Sequence, residues 1–335
     1  ITENISWLKP PAKKLCVRIT TDKGESIECS TDHPLLWSRR FYKNWNTGEK
    51  KATFKEAQNI QVGDYLLQSL QMPKFGNKKM WNPRLVGLMI GDGTYHNYYS
   101  SGQLCIANIE ILEYIKSIGI SYSYNKGKSS EKPFFRYITL HNTQEELRLL
   151  GIQGQSGKNK RLPSNIWDYD KKSVAELLAG YFDADGYVGT QGKRKKISLV
   201  SVVPEMLEEV KVQLYKLGIQ SNIYLRKHNN IFLQSNVTGK SSQIKTKQSW
   251  SLEICDIESL RNFKKHIHLL IKYKQDMIDS WDLSRHSNEA ILEYKYEHTI
   301  EKGDFFKENP NLKNLKARKV KSVEFIGEQD IYNLT

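Results

Sequence analysis

Apolar and polar residues alternate at both ends of this chain, while the middle follows a different rhythm. Near the start, Leu15-Cys16-Val17-Arg18-Ile19-Thr20 alternates, Asp22-Lys23-Gly24-Glu25 interrupts, and Ser26-Ile27-Glu28-Cys29-Ser30 alternates again. Two period-two runs around a glycine-containing acidic turn predict a β-hairpin. Phe54-Lys55-Glu56-Ala57 predicts a short helix, and Val62-Gly63-Asp64 a turn feeding a strand through Leu67. Residues Gln71 to Asn82 form a polar, lysine-containing connector with Pro73, and helical and strand patterns then interchange up to about residue 280. Asp282 to Lys319 is charged and holds one candidate helix near Ser287–Ile300, read as an appended helix or a linker, before β alternation returns from Val320. A β-rich start and end around a different middle predict one domain inserted in a loop of another. The expected divisions are 1–72 and 319–335 for the outer β domain, 80–280 for the insert and 281–318 for the linker.

The middle contains itself twice. Leu85-Val86-Gly87-Leu88-Met89-Ile90-Gly91-Asp92-Gly93 matches Leu178-Ala179-Gly180-Tyr181-Phe182-Asp183-Ala184-Asp185-Gly186, 93 residues further on. The elements after each copy come in the same order: helical patterns over Ile109–Ile118 and Glu205–Leu217, each ending in a Gly-Ile pair, then Tyr137–Leu140 and Ser249–Leu252, then helical stretches Gln144–Leu150 and Ile257–Ile271. Each half, about 80–160 and 161–280, therefore reads αββαββα. The fold class expected is α+β, a pseudo-two-fold repeat inside an all-β domain. Two halves in one chain let a monomer act as a pseudo-dimer.

The repeated helices carry the chemistry. Asn82 before Pro83 suits a helix start, and Ser173 with Glu176 fits a capping box. Gly87 and Gly91, and in the second copy Gly180 and Ala184, stand four residues apart, so small residues line one face and let the two helices meet backbone to backbone. Each helix ends in Asp-Gly, where the glycine is expected to stop the helix with positive φ. Paired helices would then set Asp92 beside Asp185 at two negative helix ends, an arrangement that calls for a cation. Hard divalent metal, Mg²⁺ above all with Mn²⁺ as substitute, suits two carboxylates plus water and phosphate oxygens, as in phosphodiester hydrolysis. One terminal Asp-Gly would be an ordinary helix end; two at matching places are not.

Charge sharpens the picture. The chain of 335 residues has a formal net charge of +14, which favours a polyanionic partner such as nucleic acid. No apolar run approaches the roughly eighteen residues of a membrane helix, and no signal-peptide pattern opens the chain. Cys16, Cys29, Cys105 and Cys255 are scattered without a Cys-x-x-Cys pair, which suggests reduced thiols in an intracellular, cytoplasmic protein. A first residue Ile1 rather than Met suggests a piece of something longer.

Both nonamers resemble the LAGLIDADG (DOD-type) homing endonucleases, over about residues 80–280. The resemblance implies an αββαββα repeat with two saddle-shaped sheets over double-stranded DNA. It makes Asp92 and Asp185, with Gly91 and Ala184 just before them, the metal-binding residues. Ile90 stands where the motif's earlier acid usually is. β-Ribbons in a major groove make Lys126, Lys128, Lys132, Arg136, Lys193, Arg194, Lys195, Lys196, Arg226 and Lys227 candidate DNA contacts, with Tyr98, Tyr99, Tyr122, Tyr124 and Tyr187 among them. A basic group near the acids would polarise water or stabilise developing charge. Lys247, before the strand at Trp250, is the first candidate and Lys245 the second.

The flanks resemble the Hint (splicing) domain of inteins. Cys29-Ser30-Thr31-Asp32-His33-Pro34-Leu35-Leu36 is similar to its internal histidine motif, with Ser30 in place of threonine, and Ala57–Asp64 and Val323–Thr335 also match. The resemblance implies that His33 bonds the scissile peptide. Asn333 replaces the usual acid. Splicing needs a nucleophile first and an asparagine last; Ile1 and Thr335 supply neither, so the chain as given is not expected to splice. The functional expectation is an intein-encoded homing endonuclease in an unidentified host protein. The alternatives are a DNA-binding protein of this fold, an RNA maturase, or a splicing element with an inactive endonuclease.

Overall fold

The computed structural model describes residues 12–22, 24–38, 53–69, 74–95, 102–125, 136–152, 155, 159–192, 194–226, 231–234, 241–244, 248–284, 292–293 and 314–331. The chain divides into two compact units, one of Ile1–Gln71 with Asn288–Thr335 and one of Met72–Ser287.

In the first unit, β1 (Ala12–Thr21) and β2 (Ser26–Ser30) form an antiparallel hairpin with Cys16 opposite Ser30. Its turn uses Gly24 at φ +81°, a conformation that favours glycine. The alternation has its expected result: Val17 and Ile19 are fully buried, while Arg18 on the other face pairs with Glu28 at 2.7 Å. β3 (Pro34–Ser38) pairs with β4 (Thr53–Glu56), Leu36 opposite Phe54. The helix expected over Phe54–Ala57 is therefore a strand. Only Ala57–Asn59 turns, as a single 3₁₀ turn, and Ala57 is its one fully buried residue. β5 (Tyr65–Ser69) follows the turn at Gly63.

The second unit is the repeat. Its first half runs α1 (Pro83–Asp92), β6 (Gly93–Tyr95), β7 (Gly102–Ile106), α2 (Ile109–Ser117), β8 (Tyr122–Asn125), β9 (Arg136–Leu140) and α3 (Gln144–Leu149). Its second half runs α4 (Lys171–Asp185), β10 (Gly186–Gln191), β11 (Arg194–Ser201), α5 (Pro204–Lys216), β12 (Asn222–Leu225), a separate hairpin of β13 (Ile231–Gln234) and β14 (Ser241–Ile244), then β15 (Trp250–Ile254), α6 (Ile257–His266) and α7 (Lys272–Asp279). The two four-stranded sheets are ordered β6-β7-β9-β8 and β10-β11-β15-β12, the same topology once β13–β14 is set aside. The helical pattern over Ile257–Ile271 is helix only as far as His266, because Ile267 takes an extended backbone, and a further helix, α7, begins just beyond it at Lys272.

Each sheet has one face in the core. Leu104, Ile106, Ile138 and Leu140 pack under the first sheet, and Ile197, Leu199, Leu252 and Ile254 under the second. Directly paired residues share a face, so Tyr137 in the first sheet, next to buried Ile138, lies on the open side, as do Tyr187 and Tyr224 in the second. Tyr122 and Tyr124 oppose Leu140 and Ile138, which puts them on the helix side, at the edge of the sheet.

Three local expectations about the helices change. Asn82 adopts φ +34° and makes no side-chain cap. Asp170, not Ser173, caps α4, its carboxylate accepting the Ser173 N–H at 2.7 Å; the Ser173 hydroxyl instead accepts the Met80 N–H at 3.0 Å. Gly93 and Gly186 follow their helices in extended conformation, at φ −84° and −77°. They are required there by space: a Cβ would stand 2.3 Å from the carbonyl oxygen of Met89 or of Phe182.

The chain then returns to the first unit. β16 (Leu292–Glu293) and β17 (Asn314–Ile331) lie where a linker and a candidate helix were expected. Leu292–Glu293 is strand, and the rest of that candidate helix lies outside the described residues. β17 starts six residues before Val320, because Leu315 and Ala317 already alternate with Lys316 and Arg318 against β5. Its later part pairs with β1, from Thr21↔Val320 to Ala12↔Ile331, so the order is β2-β1-β17-β5-β3-β4 and the two ends of the chain build one sheet.

Candidate functional site

The centre of the second unit is the contact of α1 with α4. A Cβ on Gly87 would stand 2.0 Å from the Leu177 carbonyl oxygen, and one on Gly180 would stand 2.1 Å from that of Arg84. One turn on, a Cβ on Gly91 would lie 2.3 Å from the Ala184 Cβ and 3.5 Å from Asp185 Oδ2. The small residues therefore bring the C-terminal turns together and place Asp92 and Asp185 at one spot, each just before the first strand of its sheet.

Two lysines converge on that spot. Lys160 Nζ donates to the carbonyl oxygen of Gly91, at the end of α1. Lys274 Nζ donates to the carbonyls of Phe182 at 3.0 Å and Asp183 at 2.7 Å, at the end of α4. Each helix end carries partial negative charge that a cation offsets, so both lysines are held by the helices whose acids they accompany. Lys274 is buried, with 5% of its surface exposed. Neither lysine was singled out by the sequence. Lys160 sits in the basic run Lys158–Arg161 with nothing to distinguish it, whereas Lys274 had a signal, a lysine in the apolar stripe Ile271–Lys274–Ile278 of α7.

The electrostatics fit one shared site. Burial raises the Asp92 carboxyl, with Lys160 and then Lys274 opposing the rise. Asp185 is an exposed residue. Even so, the surrounding protein pushes its carboxyl up to about 6, Lys160 opposing, Asp92 adding to the rise and Lys274 opposing again. Burial lowers the Lys274 ammonium against Asp183, Asp92 and Asp185. Two carboxylates at one spot, both raised by burial and one further raised by the other, suit a hard divalent cation. Among the described residues, no set of three or more His, Cys, Asp or Glu side chains converges, so any ion there would take its remaining ligands from water or substrate. The Gly91 carbonyl, one of the expected metal contacts, accepts from Lys160; Ala184 packs its methyl on Gly91.

The candidate DNA contacts divide. Lys196 lies on the open face of the second sheet, with Arg194 two residues before it, and its ammonium pairs with Glu253 at 3.1 Å. Lys195 points the other way and donates to the Asp282 carbonyl. Arg226 is exposed just after β12. Arg136 begins β9, and its side chain is not described. Lys126, Lys128, Lys132, Lys193, Lys227, Lys245, Lys247, Tyr98 and Tyr99 lie outside the described residues. In the first unit, Ser30 ends β2 buried, its carbonyl accepting the His33 N–H at 3.0 Å, while His33 itself is exposed and its carbonyl accepts the Ala57 N–H at 2.9 Å. Between them, hydrogen bonds from Lys14 and then Ser30 hold the Asp32 carboxyl down to about 2.

Comparison with known proteins bears on the second repeat directly. Residues 172–268 match the model of a LAGLIDADG-like domain. This chain carries a LAGLIDADG-like domain. The match begins in α4 and covers Asp183, Asp185 and the second sheet. Among curated proteins, the chain is 28% identical over 215 residues to a probable translation initiation factor IF-2 of Methanocaldococcus jannaschii, covering 63% of this chain and 17% of that protein. It is 26% identical to the replication factor C small subunit of the same organism, covering 69% and 12%. To a DNA polymerase of Thermococcus sp. (strain GE8) it is 25% identical, covering 66% and 12%. The chain thus spans less than a fifth of each of these relatives. Similar solved structures include the N-terminal LAGLIDADG domain of DUF199/WhiA (14% identity, TM-score 0.37, covering 61% of this chain and 90% of that one). Another is I-DmoI in complex with DNA and Mn (15% identity, TM-score 0.33, covering 60% and 97%).

Proposed function

We propose that the LAGLIDADG-like unit is a site-specific endonuclease of double-stranded DNA, dependent on a divalent metal such as Mg²⁺ or Mn²⁺. The observation that carries this reading is the meeting of Asp92 and Asp185 at the ends of two touching helices, each helix end holding a lysine. A divalent ion between the two carboxylates would polarise the scissile phosphate and lower the pKa of a bound water. The residues of the chain do the rest. Lys160 and Lys274 offset the charge that builds on the phosphate oxygens. The open sheet faces, with Tyr137, Tyr187, Tyr224 and Lys196, lie against the duplex and set its register. The net charge of +14 draws DNA in and makes binding fall steeply with salt. Two half-sites in one chain let a monomer address both strands.

The relatives support a mobile origin. Each of the three alignments covers more than half of this chain, so they share a common stretch, yet the proteins by name are an initiation factor, a replication factor subunit and a polymerase. A stretch common to proteins with unrelated work fits an element that moves between hosts. The first unit, one sheet built from both chain ends, is then a Hint-type splicing element, with Ser30 and His33 as its histidine motif.

The test is selection of bound duplexes from a random library in Ca²⁺, followed by exposure of the selected pool to Mg²⁺ and then Mn²⁺. Enrichment of one long sequence that is then cut within its centre supports the reading. Enrichment without cutting in either ion makes the unit a DNA-binding protein.

A further inference from the structure

Asp183 is buried to 1% exposure and lies two residues before Asp185, on the side of α4 away from the Asp92 and Asp185 carboxylates. Its carboxylate accepts the Leu270 N–H at 2.9 Å and the Ile271 N–H at 3.1 Å. Those two residues lead into α7. Arg84 of α1 closes on the same carboxylate at 3.5 Å and on Glu176 at 2.6 Å. One turn into α7, Lys274 reaches back to the main-chain carbonyl of Asp183. Asp183 therefore holds α7 twice: its side chain fixes the helix start, and its backbone receives the lysine.

The protein contains its own control for this residue. At the equivalent place in the first repeat stands Ile90, buried to 1% exposure in the apolar core. The helix pair packs with an apolar residue there, and a buried carboxylate costs more than a well-packed aliphatic side chain. Packing alone thus gives no reason for Asp183. The first-repeat lysine is also held differently. Lys160 itself lies in neither helix nor strand, between α3 and the 3₁₀ turn Ile166–Asp168 that precedes α4, and is anchored through neighbouring backbone N–H groups: Leu162 to Glu209 at 2.8 Å, and Arg161 to Gln155 at 2.9 Å. Those anchoring side chains are only half-buried.

We infer that Asp183, clasped by Arg84, is a positioning residue that presents Lys274 to the site, and that the two half-sites are unequally preorganised. One strand of the duplex is served by a lysine locked on a helix, the other by a lysine on a tethered loop. This inference rests on the endonuclease reading for its effect on strands, and on the geometry alone for its effect on Lys274.

Two variants test it. Asp183→Asn removes the charge and puts an amide NH₂ where the second carboxylate oxygen accepts from the Leu270 N–H and faces the Arg84 guanidinium. Ile271→Pro deletes one of those donors at a position whose φ of −67° already suits proline and leaves Asp183 intact. Glu209→Gln serves as the comparison for the Lys160 side. The first readout needs no cleavage: acetylation of intact full-length protein by an amine-directed reagent, followed by mass spectrometry. Lys274 is expected to react about tenfold faster in both variants than in wild type, with Lys160 unchanged, because burial and hydrogen bonding suppress amine reactivity. The second readout is single-turnover cutting of a supercoiled plasmid bearing the selected site. Asp183→Asn and Ile271→Pro are expected to slow one strand by about tenfold or more, the scale that misplacement of a catalytic group costs, so that circles nicked on that strand accumulate. Glu209→Gln is expected to slow the other strand. Binding in Ca²⁺ should stay unchanged in all three. Unaltered Lys274 labelling, or equal slowing of both strands, overturns the inference. A wild-type protein that cuts no duplex defeats the endonuclease reading instead, and the labelling still decides the role of Asp183.

Discussion

Gly87 of α1 meets Leu177 of α4 main chain to main chain: a Cβ on Gly87 would stand 2.0 Å from the Leu177 carbonyl oxygen and 2.7 Å from the Tyr181 nitrogen. No rotamer relieves such a contact, because both partners are backbone. Gly87→Ala must therefore part the helices or bend one of them, at a cost of about 2–3 kcal/mol by analogy with overpacked cores. Urea denaturation with a probe of the second unit measures it. A loss below about 0.5 kcal/mol, the level of neutral surface changes, would mean the helices are not in this contact. The same variant should reduce DNA cutting more than DNA binding, since the acids ride on the helix ends.

The raised Asp185 carboxyl makes a prediction about pH. It titrates near 6 in the fold against 3.8 for an unperturbed group, so its contribution to stability is full below 3.8 and lost as pH rises through about 6. Above that range, without metal, the ionised group destabilises the fold. Asp185→Asn should therefore raise Tm at neutral pH by the equivalent of roughly 1 kcal/mol, a figure reduced for the exposure of the residue, and the gain should vanish at low pH. Melting curves in chelator across the range read this directly. A lower Tm for the variant at neutral pH would mean the carboxylate stabilises the fold through contacts absent here.

Helix caps separate sequence signal from structural fact. Asp256 accepts the Ser259 N–H at 3.0 Å and the Glu258 N–H at 3.3 Å at the start of α6, whereas Asn108 makes no side-chain cap to α2. Asp256→Ala should cost about 1 kcal/mol and Asn108→Ala only a few tenths. Equal losses in thermal melts would show that capping does not distinguish these two positions.

How much of this could be read from the chain depended on whether the signal was local. The repeat was legible because glycines at a four-residue spacing before Asp-Gly occur twice with the same elements after them. The strand alternation of β1 and β2 was legible for the same reason. β17 before Val320 was harder, since Lys316, Arg318 and Lys319 hide the two-residue period of Leu315 and Ala317. Phe54 was misread because four residues do not distinguish a helix from a strand whose partner, β3, comes from elsewhere in the chain. The Asp-Gly helix ends were placed correctly but for the wrong cause, a close approach rather than a positive φ. Lys160 and Lys274 reach Gly91 and Asp183 across 69 and 91 residues of chain, a relationship that no local pattern encodes.

The central claim is that Asp92 and Asp185 act together on DNA, and strand cutting by acid-deleted variants tests it most directly. Wild type, Asp92→Asn and Asp185→Asn would be incubated in Mg²⁺ with a supercoiled plasmid carrying the selected sequence, with Ca²⁺ as the binding control. The account predicts linear product from wild type, none from either variant, and comparable Ca²⁺-supported binding by all three. Cutting that survives in both variants, or a wild type that binds and never cuts, would contradict it.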